Sequence, residues 1–78
     1  ERLAETLLYL EDTFGKNKDG SVYIQLSREE LAGIIGTATE SCIRLLSEFN
    51  KLGLISLESK KITLLDRVKL KRLSEQSL

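Results

Sequence analysis

Residues 36–52, GTATESCIRLLSEFNKL, decide how the rest of the chain must be arranged. Within them Cys42, Leu45, Leu46, Phe49 and Leu52 recur at i, i+3, i+4, i+7 and i+10. That is the stripe of an amphipathic helix with one face in a core. The opening turn is of another kind, because Thr39, Glu40, Ser41 and Arg44 are all polar. Glu40 and Arg44 lie four residues apart and project from one side of a helix. The spacing predicts a helix over about residues 38–52 that buries its rear and leaves a polar N-terminal end free.

The residues just before it predict a second helix. Ser27-Arg28-Glu29-Glu30 has the S-x-x-E spacing of a capping box, and Leu31, Ile34 and Ile35 follow on one face. Gly36 can take the left-handed conformation that a tight helix–helix turn requires. Thr37-Ala38-Thr39-Glu40 repeats the capping-box spacing and is expected to restart the chain as a helix. Ala32 is small enough to let the two helices cross closely. Two short helices joined at a glycine form a helix-turn-helix unit. A helix held by its rear, with donors and acceptors at its free end, suits the major groove of DNA.

Outward from this pair, Leu3, Leu7, Leu10 and Phe14 give helical periodicity over residues 2–13, with Gly15 at its end and a polar loop at residues 16–20. Val22 to Leu26 alternate and are β-rich, so they read as a short strand. On the other side Gly53 ends the recognition helix. Residues 54–57 and 61–65 then read as two strands around a turn at 58–60, a hairpin in the position of a wing. Lys60 and Lys61 fall at its tip, and the early strand is expected to join it, since a lone hairpin is marginally stable. Asp66 is placed to cap a last helix with Val68, Leu70 and Leu73 inward and Arg67, Lys69, Lys71 and Arg72 outward; the chain is expected to fray from Gln76. The fold class is therefore mainly α with a small antiparallel β-sheet, a winged helix-turn-helix.

Composition bounds the rest. Seventy-eight residues make one small domain. There is no histidine and one cysteine, Cys42, on the apolar stripe. This excludes an intrachain disulfide and argues against a zinc or iron–sulfur site. No cofactor is expected in this domain. No apolar run approaches the roughly 20 residues that span a membrane, so a cytoplasmic location is expected and no membrane partner. Net charge is zero, but residues 1–43 hold four Lys/Arg against eight Asp/Glu, and residues 44–78 hold eight against four. The second half, with most of the recognition helix, is the basic one. Glu29-Glu30 and Glu11-Asp12 are neighbours that point about 100° apart on a helix and make no acid/base pair. The five glycines form no phosphate-binding loop, so an enzyme is not expected. The chain opens in a helical pattern without methionine, as an excised domain of a longer protein would.

Most of the chain, roughly residues 3–66, resembles the DNA-binding domain of the Crp/Fnr regulators. The resemblance rests on Arg28-Glu29-Glu30-Leu31-Ala32, the turn at Gly36, Glu40-Ser41-x-x-Arg44-x-Leu46, and Gly53-Leu54-Ile55 entering the wing. It implies a bacterial transcription factor whose sensor domain and dimerisation helix precede this segment, with a small-molecule effector possible for the sensor. It also implies a double-stranded DNA operator as partner, homodimerisation of the full-length protein, and RNA polymerase as a further candidate partner; this segment alone is expected to be monomeric. Positions matching Glu40 and Arg44 read base edges in the family, and the one matching Thr39 helps set the preferred sequence. Thr39 stands where the family's catabolite activator carries arginine, which implies a different half-site. Positions matching Arg28, Ser41 and Lys60 contact or lie near the DNA backbone.

The chemistry of these residues agrees with such roles but offers blander ones. Arg44 can donate two parallel bonds to guanine O6 and N7, and Glu40 can accept from cytosine N4. Equally, the two could form a surface ion pair, or Glu40 could complete the Thr37 capping box. Thr37 and Ser41 place hydroxyls at a helix N-terminus, where a phosphate is favoured. Lys60 and Lys61 could instead be edge-strand charges. Tyr9 and Tyr23 read as half-buried packing residues. The rival function is a winged helix that binds protein, which would show an apolar face where this recognition helix is polar.

Overall fold

One side-chain cap and two glycine turns set the limits of the central pair of helices. The structure, a computed structural model, describes residues 2–76. Helix α1 spans Arg2–Phe14, strand β1 Ile24–Gln25, helix α2 Arg28–Ile35 and helix α3 Thr39–Lys51; strands β2, Ile55–Glu58, and β3, Lys61–Leu64, precede helix α4, Arg67–Glu75. The fraying expected from Gln76 is not seen at Gln76 itself, which caps α4 with its N–H on the Leu73 carbonyl at 3.2 Å; Ser77 and Leu78 lie outside the described residues.

The capping box of α2 is formed in both directions. Ser27 Oγ accepts from the Glu30 N–H at 3.0 Å, and the Glu30 carboxylate accepts from the Ser27 N–H at 2.8 Å. At the other end Gly36 adopts φ +85°, and the N–H groups of Gly36 and Thr37 both donate to the Ala32 carbonyl. That second bond overturns the expected capping box of α3. Thr37 is held in the closing turn of α2, so the N-cap moves on to Ala38 and makes no side-chain cap. At its C-terminus α3 closes in a Schellman turn: Leu54 N–H donates to the Phe49 carbonyl at 3.0 Å and Gly53 N–H to that of Asn50 at 3.1 Å. This turn swings Leu54 into the core and leaves Leu52 exposed, contrary to its place on the sequence stripe.

The sheet is antiparallel, in the order β1-β3-β2. Ile24 and Leu57 both pair with Ile62, and Ile55 pairs with Leu64, so one face of all three strands points inward. The first strand is shorter than the alternation at Val22 to Leu26 predicts. Its leading residues are held by the preceding loop: Tyr23 N–H donates to the Gly15 carbonyl, and Asn17 Nδ2 donates to the carbonyls of Gly15 and Ser21. Only Ile24 and Gln25 remain to pair with β3. The winged helix expected from the sequence is the observed fold.

Helix α4 packs on α1. Leu70 is fully buried and Leu73 half-buried, but Val68 is exposed, because residues two apart on a helix face about 200° from each other. Arg67, expected to point outward, instead grips Glu11, with Nε–Oε1 at 2.7 Å and Nη2–Oε2 at 2.8 Å. Glu11 is the one charged residue among those described that is buried. Beside it, a Cβ on Gly15 would meet the Glu11 carbonyl oxygen at 2.5 Å, which restricts this position to glycine. Tyr9 and Phe14 on the outer side of α1 are both more than 60% exposed, so Tyr9 is not the packing residue expected, whereas Tyr23 is half-buried. Apart from Phe49 and Cys42 the core is aliphatic, drawing on every helix and strand.

Removing Arg67 strands the Glu11 carboxylate. Because the guanidinium is half-exposed, the cost is kept to about 1–2 kcal/mol. Arg67→Ala should lower Tm by roughly 5–10 °C, and Arg67→Met combined with Glu11→Leu should recover most of it. A thermally silent Arg67→Ala would show the pair to be idle.

The bonds from Ser27, backbone first and then side chain, hold the Glu30 carboxyl below its ordinary value of 4.5. A lowered carboxylate pKa means stability that is complete above the unfolded value and is lost as pH falls through the folded one. Glu30→Gln should therefore be less stable than the parent at neutral pH, with the gap closing as pH drops below about 4.5. Thermal melts across pH 3–7 read this directly, and a gap independent of pH would refute it.

Candidate nucleic-acid interface

Helix α3 offers two different faces. Cys42, Leu46 and Phe49 are buried and Leu45 packs against the core, while Glu40, Arg44, Ser47 and Lys51 follow one another along the exposed side. Thr39 and Ser41 are half-buried at its first turn. Ser47 and Lys51 were passed over in the sequence reading, although their spacing of three and seven from Arg44 places them on the same stripe.

The local alternatives for Glu40 and Arg44 are not used. Among the described residues the only ion pairs are Glu11–Arg67 and Asp66–Lys69, and no side-chain hydrogen bond involves Glu40 or Arg44. With Ala38 at the N-cap, no side chain accepts from the first N–H groups of α3 either. That end of the helix presents backbone donors, hydroxyls and one unpaired carboxylate and guanidinium to solvent.

The wing tip and the start of α2 form a second locus. Ser59, at φ +58°, and Lys60 make the two-residue loop between β2 and β3. Arg28 Nη2 donates to the Ser59 carbonyl at 3.1 Å, and Leu26 N–H donates to the carbonyl of Lys60 at 3.3 Å. Arg28 thus joins the first turn of α2 to the hairpin, a link between residues 31 apart that no sequence pattern marks. Its charge also reaches the rear of α3. Burial pushes the Cys42 thiol up, and the Arg28 guanidinium pulls in the opposite direction. Lys60 is exposed, whereas the Lys61 ammonium sits 4.8 Å from the centroid of the Tyr23 ring, a cation–π contact. Thr37 is half-buried at the turn between α2 and α3.

Two surface grooves among the described residues lie elsewhere. One is lined by Leu52, Leu54, Lys69, Arg72 and Leu73, the other by residues between Leu10 and Ile34 on α1, β1 and α2. Among the described residues no group of three or more His, Cys, Asp or Glu could hold a metal ion, and no helix is long and apolar enough to cross a membrane.

Comparison with known proteins bears on the fold and the family. Residues 1–73 match the family model for the Crp-like helix-turn-helix domain. The CRP-like cAMP-activated global transcriptional regulator of Mycobacterium tuberculosis is 33% identical over 73 residues, covering 91% of this chain and 33% of that protein. The transcriptional regulator LdrP of Thermus thermophilus is also 33% identical over 73 residues, with 91% of this chain and 37% of that protein covered. The chain spans about a third of the length of these curated relatives. Among solved structures, the Crp/Fnr-family regulator TTHA1359 from Thermus thermophilus superposes with a TM-score of 0.86 at 33% identity, over 96% of this chain and 39% of that one. A Crp/Fnr-family regulator from Eubacterium rectale gives 0.85 at 31% identity, over 96% and 32%. The chain belongs to the family of Crp-like helix-turn-helix domains, the DNA-binding module of transcription regulators.

Proposed function

We propose that this domain reads double-stranded DNA by laying the exposed face of α3 in the major groove, with the wing on the backbone. The observation that carries this is the pair Glu40 and Arg44, one turn apart on the free side of α3 and engaged by no other described side chain. A charged pair left unspent at the end of a helix held by its rear suits base edges better than it suits the fold. Arg44 takes guanine O6 and N7, Glu40 accepts from cytosine N4, and Thr39 tunes which sequence is preferred. Thr37, Ser41, Arg28, Lys60 and Lys61 hold phosphates, from the start of α3 and from the locus that Arg28 makes with the hairpin. For Lys61 this means leaving the Tyr23 ring.

The parent protein on this reading carries a sensor and a dimerisation helix ahead of the domain and works in the cytoplasm as a homodimer, with half-sites about 34 Å apart. A small-molecule effector belongs to the sensor, and RNA polymerase is a candidate partner of the DNA-bound dimer. The domain itself has no catalytic role. The protein-binding alternative calls for an apolar face where Glu40, Arg44 and Ser47 stand, and those residues weigh against it.

Two substitutions separate base reading from backbone clamping. Arg44→Ala should cost about 1–3 kcal/mol on a half-site selected from random sequence and relax specificity at one base pair. Lys60→Ala should weaken all sequences alike and reduce the salt slope by about one. Identical behaviour of the two variants in fluorescence titrations would contradict the division of roles.

Without its dimerisation helix the domain lacks the effective-concentration gain of paired binding, often 10²–10⁴-fold. Sedimentation of the 78-residue chain should show a monomer, and a tight dimer would contradict the proposed source of symmetry.

A further inference from the structure

Ile43 stands out on the exposed side of α3. It is 48% exposed, the one large apolar side chain of that helix left open to solvent among the described residues. It belongs neither to the core nor to the half-buried side chains around it, and it lines neither surface groove. Its neighbours at i−4, i−3 and i+4 are Thr39, Glu40 and Ser47, and Arg44 follows it in sequence. At i+3 stands Leu46, which is fully buried in the core, and about half of the Ile43 side chain stays open to solvent. A β-branched residue is also a poorer helix former than the alanine, lysine or glutamate that an open helix surface favours. An apolar group set into a hydrogen-bonding face calls for an apolar group on the ligand. In the major groove that group is the C5-methyl of thymine.

We infer that Ile43 reads a thymine through its C5-methyl, beside the base pairs contacted by Glu40 and Arg44. The inference rests on the proposal that α3 enters the major groove, and it names part of the sequence that the helix selects. Glu40 and Arg44 supply hydrogen bonds to C·G pairs, whereas Ile43 supplies the contact that requires T·A. Burial replaces direct bonding here, so discrimination is against the missing methyl as much as against the wrong base.

The test is to select a half-site duplex with the 78-residue chain and then replace its thymines one at a time by deoxyuridine, which removes only the methyl. One replacement next to the Arg44-dependent base pair should weaken binding about fourfold, the equivalent of one methyl-sized group buried. The same replacement should have no effect on Ile43→Ala, whose site is on the open surface and whose fold is not at risk. A sequence-selective chain indifferent to every deoxyuridine would overturn the role of Ile43 and leave major-groove reading intact. So would a deoxyuridine penalty that survives in Ile43→Ala. A chain that selects no sequence at all would overturn the groove reading, and this inference with it.

Discussion

Burial of Cys42, Leu46 and Phe49 is the constraint on which the rest of the molecule depends. The leucine and the phenylalanine are each worth about 1.5–3 kcal/mol when taken out of water, a large share of the stability available to a domain this size. Once that face is filled, the direction of the opposite face is settled. It is settled from two ends as well. The tight turn at Gly36, closed on the Ala32 carbonyl, fixes the angle at which α3 leaves α2. The Schellman turn after Lys51 delivers Leu54 and Ile55 straight into the core as β2 begins. A helix pinned along its rear and at both ends presents its polar side as a rigid surface. Such preorganisation lets a handful of hydrogen bonds discriminate between ligands.

The hairpin gains its position from the same core. A two-strand ribbon alone would be marginal, and here it is made permanent by three small additions. Ile24 and Gln25 extend the ladder on the β3 side. Ile55, Ile62 and Leu64 bury the inner face. Arg28 ties the tip to the start of α2 through the Ser59 carbonyl. The last is a bond from a charged donor to a neutral acceptor at the surface, too weak to build the fold but well placed to orient Lys60. At the far side of the domain, Arg67 does a comparable service by neutralising Glu11 where α4 crosses α1.

What could be read from the sequence was what three or four adjacent residues encode. The α2 capping box, the Gly36 turn, the end of α3 at Gly53 and the hairpin all follow from local chemistry, and each is present. Thr37 to Glu40 spell the same capping pattern as Ser27 to Glu30, yet only the earlier one forms. The pattern is local, but the competition for the Thr37 N–H is not: the Ala32 carbonyl already holds it. Val68 fails because it faces away from Leu70 round α4, and Leu52 because the Schellman turn swings it out; Tyr9 fails for want of a partner. Hydrophobic periodicity tells which way a side chain points, not whether a small domain has a neighbour there. Of the candidate interface, the shared side of Glu40 and Arg44 was legible from their spacing. The joining of Arg28 to Ser59 was not, nor was the grip of Arg67 on Glu11, 56 residues away.

A net charge of zero looks ill suited to a polyanionic ligand, but it has a consequence for the proposed function. Non-specific affinity for DNA comes almost wholly from neutralised phosphates, so a chain whose carboxylates equal its basic groups can draw it only from the basic second half and Arg28. The acidic first turn of α2 and Glu40 on α3 add repulsion wherever the fit is poor. On the proposed reading, discrimination then falls to groups that act only in register: Arg44 and Glu40 on base edges, Ile43 on a methyl, and the basic groups of the wing on phosphates. Under that proposal such a domain gives up affinity for a high ratio of specific to non-specific binding, which is the quantity that matters among many competing sites. The lost affinity is recoverable by pairing two such domains on one DNA, since a tethered second half-site multiplies binding without any new contact. If the proposed reading holds, weak single-domain binding and high selectivity are two results of one charge balance.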